Sequence, residues 1–208
     1  MKDLLRSVVG PTSLLVAMTV AGVVVAAAAC SDSGGSEDTG STGDEPVTGD
    51  GPLTQEGFVA LLTATDVEDA ATGSASLTTE LRDLRSMAAS VDPSQVVSIE
   101  TWYGNSFVAG DGGATLTFTV IDFESNTAAE AHFEKLTSGS PAPQPVDPPI
   151  GDASAALRID TAGIGSTLTF RSGDKIVTLH TTIAEGQPAL VEMDALEELA
   201  RIAAARLQ

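Results

Sequence analysis

Along residues 53–208 the apolar positions follow two periods, and the switches between them divide the chain into elements. Thr54 stands where a helix N-cap is needed, and Phe58, Leu61 and Leu62 fall on one side of the short helix that would follow. Thr65-Asp66-Val67-Glu68 has capping-box spacing, with Gly73 as the stop of that turn. Leu81, Leu84 and Ala88 are spaced by three and four, with Arg82, Asp83 and Arg85 between them, which predicts a helix over 78–89 that ends before Asp92-Pro93.

The period then drops to two. Val97, Ile99, Thr101 and Tyr103 alternate over 95–103, and Leu116, Phe118 and Val120 alternate over 114–123, so both segments read as half-buried strands. Ala109-Gly110-Asp111-Gly112-Gly113 supplies a hairpin loop between them. After Asn126 the helical period returns, with Ala129, Phe133 and Leu136 on the inner side and a stop near Gly139. Pro141, Pro143, Pro145, Pro148 and Pro149 exclude regular structure over 139–152 and predict an extended crossover. Strands resume over 156–160, 166–171 and 175–183, the last two joined at Ser172-Gly173-Asp174. A final helix over 193–207 turns Leu196, Leu199, Ala203 and Leu207 toward the sheet. Each half thus ends β-β-α. The fold class predicted is α+β: two layers, an antiparallel sheet of about five strands, and the helices on one face.

The first 29 residues pattern differently. Lys2 and Arg6 precede an apolar stretch from Leu14 to Ala29, and the stretch closes on Ala27-Ala28-Ala29-Cys30, which holds the one cysteine of the chain. In these residues the chain resembles bacterial lipoprotein precursors, with Ala27 where leucine is usual. The resemblance implies cleavage before Cys30, a diacylglyceryl group on its thiol, and a cell-membrane location on the extracytoplasmic side. The alternative is an uncleaved anchor, since 7–29 nearly matches the roughly 20 apolar residues that span a bilayer core. Pro11 and the abrupt change at Ser31-Asp32-Ser33 oppose it. Both readings place the rest of the chain outside the cytoplasm.

Residues 31–52 contain no aromatic residue and Val47 as their one aliphatic residue, together with six acids and no base. Such a stretch has too little apolar surface to offset the entropy of ordering, so 30–52 reads as a lipidated cysteine and a flexible acidic spacer. An acidic tract can also bind Ca²⁺, but the D-x-[DN]-x-[DN]-G pattern is missing. The remaining 156 residues suit one globular extracytoplasmic domain, 53–208. That domain lacks cysteine and carries 22 acids against 8 Lys and Arg, a formal charge of −14. It therefore offers no thiolate ligand or thiol nucleophile, and its field repels nucleic acid.

Catalytic patterns are missing from the sequence: H-E-x-x-H, G-x-S-x-G and the phosphate-binding G-x-x-x-x-G-K do not occur, and Gly163-Ile164-Gly165 reads as a turn. His132 and His180 lie in different elements without ligand spacing, so no metal and no cofactor are expected. No catalytic residue is assigned. Three positions stand out as candidate sites. Cys30 is the lipid attachment point. Trp102 and Tyr103 are the one Trp and one Tyr; adjacent on a strand, they face opposite ways. If Tyr103 joins the core with Ile99, Trp102 lies on the face without helices, either as a partner or ligand contact or beneath the proline-rich crossover. Asp152, in Ile150-Gly151-Asp152, follows that crossover as a ligand contact or as a turn residue bonded to nearby amides.

Two functions remain open. One is a membrane-anchored, non-enzymatic module that binds or senses an envelope protein or small ligand. The other is a tethered hydrolase built on paired carboxylates, which requires two acids in a deep cleft.

Overall fold

The computed structural model describes residues 51–71, 76–86, 98–110, 113–139, 141–158, 165–183 and 188–208. The expected export signal, Cys30 and the expected spacer up to Asp50 lie outside these residues, as do Gly73, Ala88, Asp92-Pro93, Val97, Asp111-Gly112, Ile159 and Gly163-Ile164.

One antiparallel sheet organises the described chain. Its strands are β1 (Leu77–Asp83), β2 (Ile99–Ala109), β3 (Ala114–Phe123), β4 (Gln144–Pro145), β5 (Ala153–Leu157), β6 (Thr167–Ser172) and β7 (Lys175–Ile183), in the spatial order β1-β2-β3-β7-β6-β5-β4. The helices are α1 (Gln55–Leu61), α2 (Ala64–Ala70), α3 (Asn126–Thr137) and α4 (Met193–Arg206). The α+β class predicted from the sequence holds, while the sheet has seven strands rather than about five. One added strand is β4, a two-residue pairing with β5 inside the proline-rich crossover, where Pro145 is tolerated because the strand lies at the sheet edge. The other is β1, which takes residues 78–83 from the helix expected over 78–89; Arg85 and Ser86 are helical, and 87–89 lie outside the described residues. Pairing along its own full length with residues 103–109 of β2 supplies it with ladder hydrogen bonds that a lone amphipathic turn would not outweigh.

The helices occupy both faces of the sheet, which corrects the one-face arrangement. On the first face α1, α2 and α4 bury Phe58, Leu61, Val67, Leu196 and Leu199 against Phe107, Leu116, Phe118, Leu168, Phe170, Val177 and Leu179. Phe58 stacks on Phe118 with ring centroids 5.1 Å apart and also lies 5.6 Å from Tyr103. On the second face α3 packs a smaller cluster, in which Ala129 meets Ile99, Phe123 and Ile176 with Phe133 and Trp102 beside them. Leu136, expected on the inner side of α3, is exposed.

A register shift between Ile99 and Thr101 explains how one strand serves both clusters. The bulge changes the parity of the side chains, so Tyr103 points into the main core and Ile99 into the α3 cluster. Simple alternation would have put both on one face.

The helix ends are set by local chemistry. Thr54 caps α1 by accepting from the Gly57 amide at 3.1 Å, as its position predicts. The capping box of α2 sits two residues earlier than the expected Thr65–Glu68 pair: the Thr63 amide donates to Asp66 Oδ2 at 2.8 Å, and the Asp66 amide donates to Thr63 Oγ1 at 3.3 Å. The short Asp66 side chain then takes a two-pronged contact from Arg206 in the last turn of α4, at 2.6 and 3.0 Å. Burial opposes ionisation of Asp66, but the Arg206 and Thr63 hydrogen bonds outweigh it and hold its carboxyl below 3.8.

Candidate binding face

The sheet strands alternate apolar with hydroxylated residues: Thr115-Leu116-Thr117-Phe118-Thr119-Val120 on β3, Thr167-Leu168-Thr169-Phe170 on β6, and Val177-Thr178-Leu179-His180 on β7. Because side chains alternate across a strand, burying the leucines and phenylalanines under α1, α2 and α4 turns every threonine of these runs to the opposite face. The register then lines them up in rows. Thr119, Thr178 and Thr169 are neighbours across β3, β7 and β6, and Ser106, Thr117, His180 and Thr167 form the next row from β2 to β6. Thr115 and Thr182 pair beyond them.

Hydrogen bonds knit the rows together. Thr167 Oγ1 lies 2.8 Å from His180 Nδ1, and Thr169 Oγ1 lies 3.1 Å from Thr178 Oγ1. Burial among these side chains lowers the His180 pKa from 6.5, so at neutral pH the ring is uncharged. The part of the face beyond α3 is therefore nearly free of charge. Its charged strand residues are Glu80 and Arg82 at the β1 margin, and they pair with each other at 2.6 Å. In a domain of formal charge −14, a face built of hydroxyls and methyl groups stands apart from the solubilising surface. Its side chains are half-buried, with Thr169 8% exposed. It suits contact with another extended, hydroxylated or amphipathic surface rather than enclosure of a small molecule.

Trp102 does lie on the face opposite the main core, as its parity with Tyr103 predicts. It is half-buried beside α3, however, and not beneath the proline-rich crossover. Its indole Nε1 is buried without a hydrogen-bond partner. Asp152 acts as a turn clamp: its Oδ2 accepts from the Gly173 amide at 2.8 Å and from Arg171 Nη1 at 3.1 Å, while its own amide donates to the Arg171 carbonyl at 2.8 Å. It holds the β6–β7 hairpin to the turn before β5. Trp102 and Asp152 do not meet, since β3, β7 and β6 lie between them.

The two histidines are also apart. His132, on α3, sits 5.2 Å from the Phe123 ring, and burial together with the Lys135 charge lowers its pKa. Among the described residues no three His, Cys, Asp or Glu side chains are placed to hold a metal ion, and no helix is long and apolar enough to cross a membrane. The buried carboxylate among them is Asp122, engaged by the Leu53 amide and by Lys175. A notch of about 260 Å³ between the β4–β5 edge and the start of α4 contains Asp147, Arg158 and Glu197, with Asp147 exposed. The alternation of threonine with apolar residues was legible strand by strand but carries no motif, and of the residues in these rows His180 alone was weighed there, as a ligand.

No known protein family and no curated protein matches the chain. Among solved structures, the extracellular domain of PknH from Mycobacterium tuberculosis aligns over 76% of this chain and 98% of that one, at a TM-score of 0.46 and 12% identity. A likeness of this size transfers no role from one to the other. What the fold itself defines is an α+β domain with a seven-stranded antiparallel sheet among its described residues.

Proposed function

We propose that this chain is a lipid-anchored extracytoplasmic module that binds or senses a component of the cell envelope, without catalysing a reaction, through the threonine-rich face of its sheet. The observation that carries the reading is that face: eight Thr and Ser hydroxyls from four strands, in register and almost without charge, on a strongly acidic domain. A neutral polymer or partner meets hydroxyls and methyl groups there and leaves few charges desolvated without a counter-ion. The anchor rests on Ala27-Ala28-Ala29-Cys30 at the end of an apolar run, and the acidic spacer that follows gives the domain reach away from headgroups. The buried acid Asp122 is committed to holding the fold, which favours binding over carboxylate chemistry.

Two measurements test the two halves of this reading. Metabolic labelling with a palmitate analogue is expected for the wild-type chain and lost in Cys30→Ala, with that variant released from the membrane; undiminished labelling contradicts the anchor. Thr117→Arg and Thr178→Arg place charge on this face, and both are expected to abolish retention on isolated envelope material while Glu198→Arg on α4 is retained as wild type. Equal retention of all three contradicts the binding face.

A further inference from the structure

β1 is the outermost strand of its side of the sheet, paired with β2 alone among the described residues, and Thr78, Thr79 and Glu80 on it are exposed. Edge strands leave one row of backbone groups unpaired, and which residues own that row can be read here. The Leu84 amide donates to the Trp102 carbonyl at 2.8 Å, so the ladder turns the backbone groups of Leu84, Arg82, Glu80 and Thr78 toward β2. Those of Thr79, Leu81 and Asp83 therefore face outward.

We infer that this edge pairs with the same edge of a second copy of the chain, antiparallel and about a two-fold axis at Leu81, through reciprocal Glu80–Arg82 contacts. The charges select the register. An axis at Glu80 or at Arg82 sets like charges opposite each other, and an axis at Thr79 leaves both charges facing uncharged residues. An axis at Leu81 places Glu80 opposite Arg82 of the second copy twice over. It also makes Leu81 face its own copy, and Thr79 face Asp83, as pairs that exchange backbone hydrogen bonds through their outward groups. Glu80 and Arg82 then form the non-hydrogen-bonded pairs, in which side chains approach most closely.

Within one copy these side chains already meet, with Arg82 Nε and Nη2 at 3.0 and 2.6 Å from Glu80 Oε1. That contact is exposed and contributes little, so exchanging the two such contacts of two copies for two cross-strand pairs is inexpensive. The same charges repel most foreign strands, which makes the edge selective for itself. Joined this way, the two sheets become continuous and their threonine-rich faces point the same way, because the axis stands perpendicular to the sheet.

The inference does not rest on lipidation or on the function proposed above, so its test uses the full chain in detergent with Cys30 present and again as Cys30→Ala. Sedimentation velocity from low to high micromolar concentration is expected to show a reversible dimer in both. Glu80→Arg, which sets arginine against arginine, and Arg82→Glu, which sets glutamate against glutamate, are each expected to weaken the dimer about tenfold or more. Mixing those two variants is expected to restore a mixed dimer, and the double swap E80R with R82E to restore the homodimer, which also shows that the substitutions leave the fold intact. A wild-type chain that stays monomeric, a dimer equally strong in E80R, or a double swap no better than the singles overturns the pairing.

Discussion

The Leu53 amide donates to Asp122 Oδ2 at 2.7 Å, although 69 residues separate the two. Leu53 is the first buried residue among the described ones, and Asp122, at the end of β3, is 1% exposed. The other carboxylate oxygen lies 3.1 Å from Lys175 Nζ, an ionic contact without hydrogen-bond alignment, and Lys175 donates in turn to Asp174 at 2.8 Å. Burial works against the ammonium, but the Asp174 and Asp122 carboxylates outweigh it and raise the Lys175 pKa above 10.5. Leu53 is thus fastened to the sheet through a buried carboxylate.

Asp122→Ala leaves the Leu53 amide unsatisfied and removes the buried partner of Lys175. Because Lys175 keeps Asp174, the loss expected is that of the unsatisfied buried amide, about 1–3 kcal/mol. Asp122→Asn keeps an oxygen for the Leu53 amide and should lose less. Urea unfolding midpoints of the three chains check the order; equal midpoints would show that the carboxylate does not hold the domain's first strand-side contact.

The histidines set an acid limit. Burial lowers the pKa of His180, and burial with the Lys135 charge lowers that of His132, both from 6.5. In each case the unfolded chain binds the proton more readily. Stability is then full above pH 6.5 and falls as the pH drops below it toward the folded values. A lower melting temperature at about pH 5 than at about pH 7 is expected, and the gap should narrow when His132→Gln and His180→Gln are combined. A gap of unchanged size in the double variant would assign the acid sensitivity to other groups.

Gly165 sits where the chain enters β6 beside β7. A Cβ at this position would overlap the Thr181 carbonyl oxygen and hydroxyl, and the Thr181 hydroxyl is already used by the Ser166 amide at 2.9 Å. Gly165→Ala is expected to cost about 1–3 kcal/mol through overpacking, whereas Gly51→Ala, with open space around it, should be neutral. Thermal unfolding of the two variants side by side decides whether close approach is the reason for this glycine.

Strands β3, β6 and β7 and helices α1, α3 and α4 were legible because each carries its period within itself, whereas β2, read over 95–103, runs over Ile99–Ala109 with its alternation broken by the bulge. Leu116, Phe118 and Val120 alternate whatever surrounds them, and Leu196, Leu199 and Ala203 form a stripe on any helix of that length. The same reading failed at β1. Leu81 and Leu84 have helical spacing, yet Leu81 faces the main core while Leu84 approaches Gly104 on the other face, because the segment pairs with β2. Capping was misplaced by two residues for a similar reason: Thr63 and Thr65 are equal candidates locally, and Arg206, distant in sequence, engages Asp66.

By itself the sequence determined where apolar surface is concentrated, the turn chemistry at Gly173, the strongly acidic balance of the domain and the presence of one cysteine at the end of an apolar run. Those are properties of composition and neighbouring residues. Tertiary structure alone decided that α3 crosses to the second face, that a bulge sends Ile99 and Tyr103 in opposite directions, and that Asp152 clamps a hairpin. It also decided that threonines from three separate strands, with Ser106 from a fourth, fall into rows. Each of these depends on which strand lies beside which, and strand pairing is a long-range choice made by summed packing and hydrogen bonding rather than by any local period.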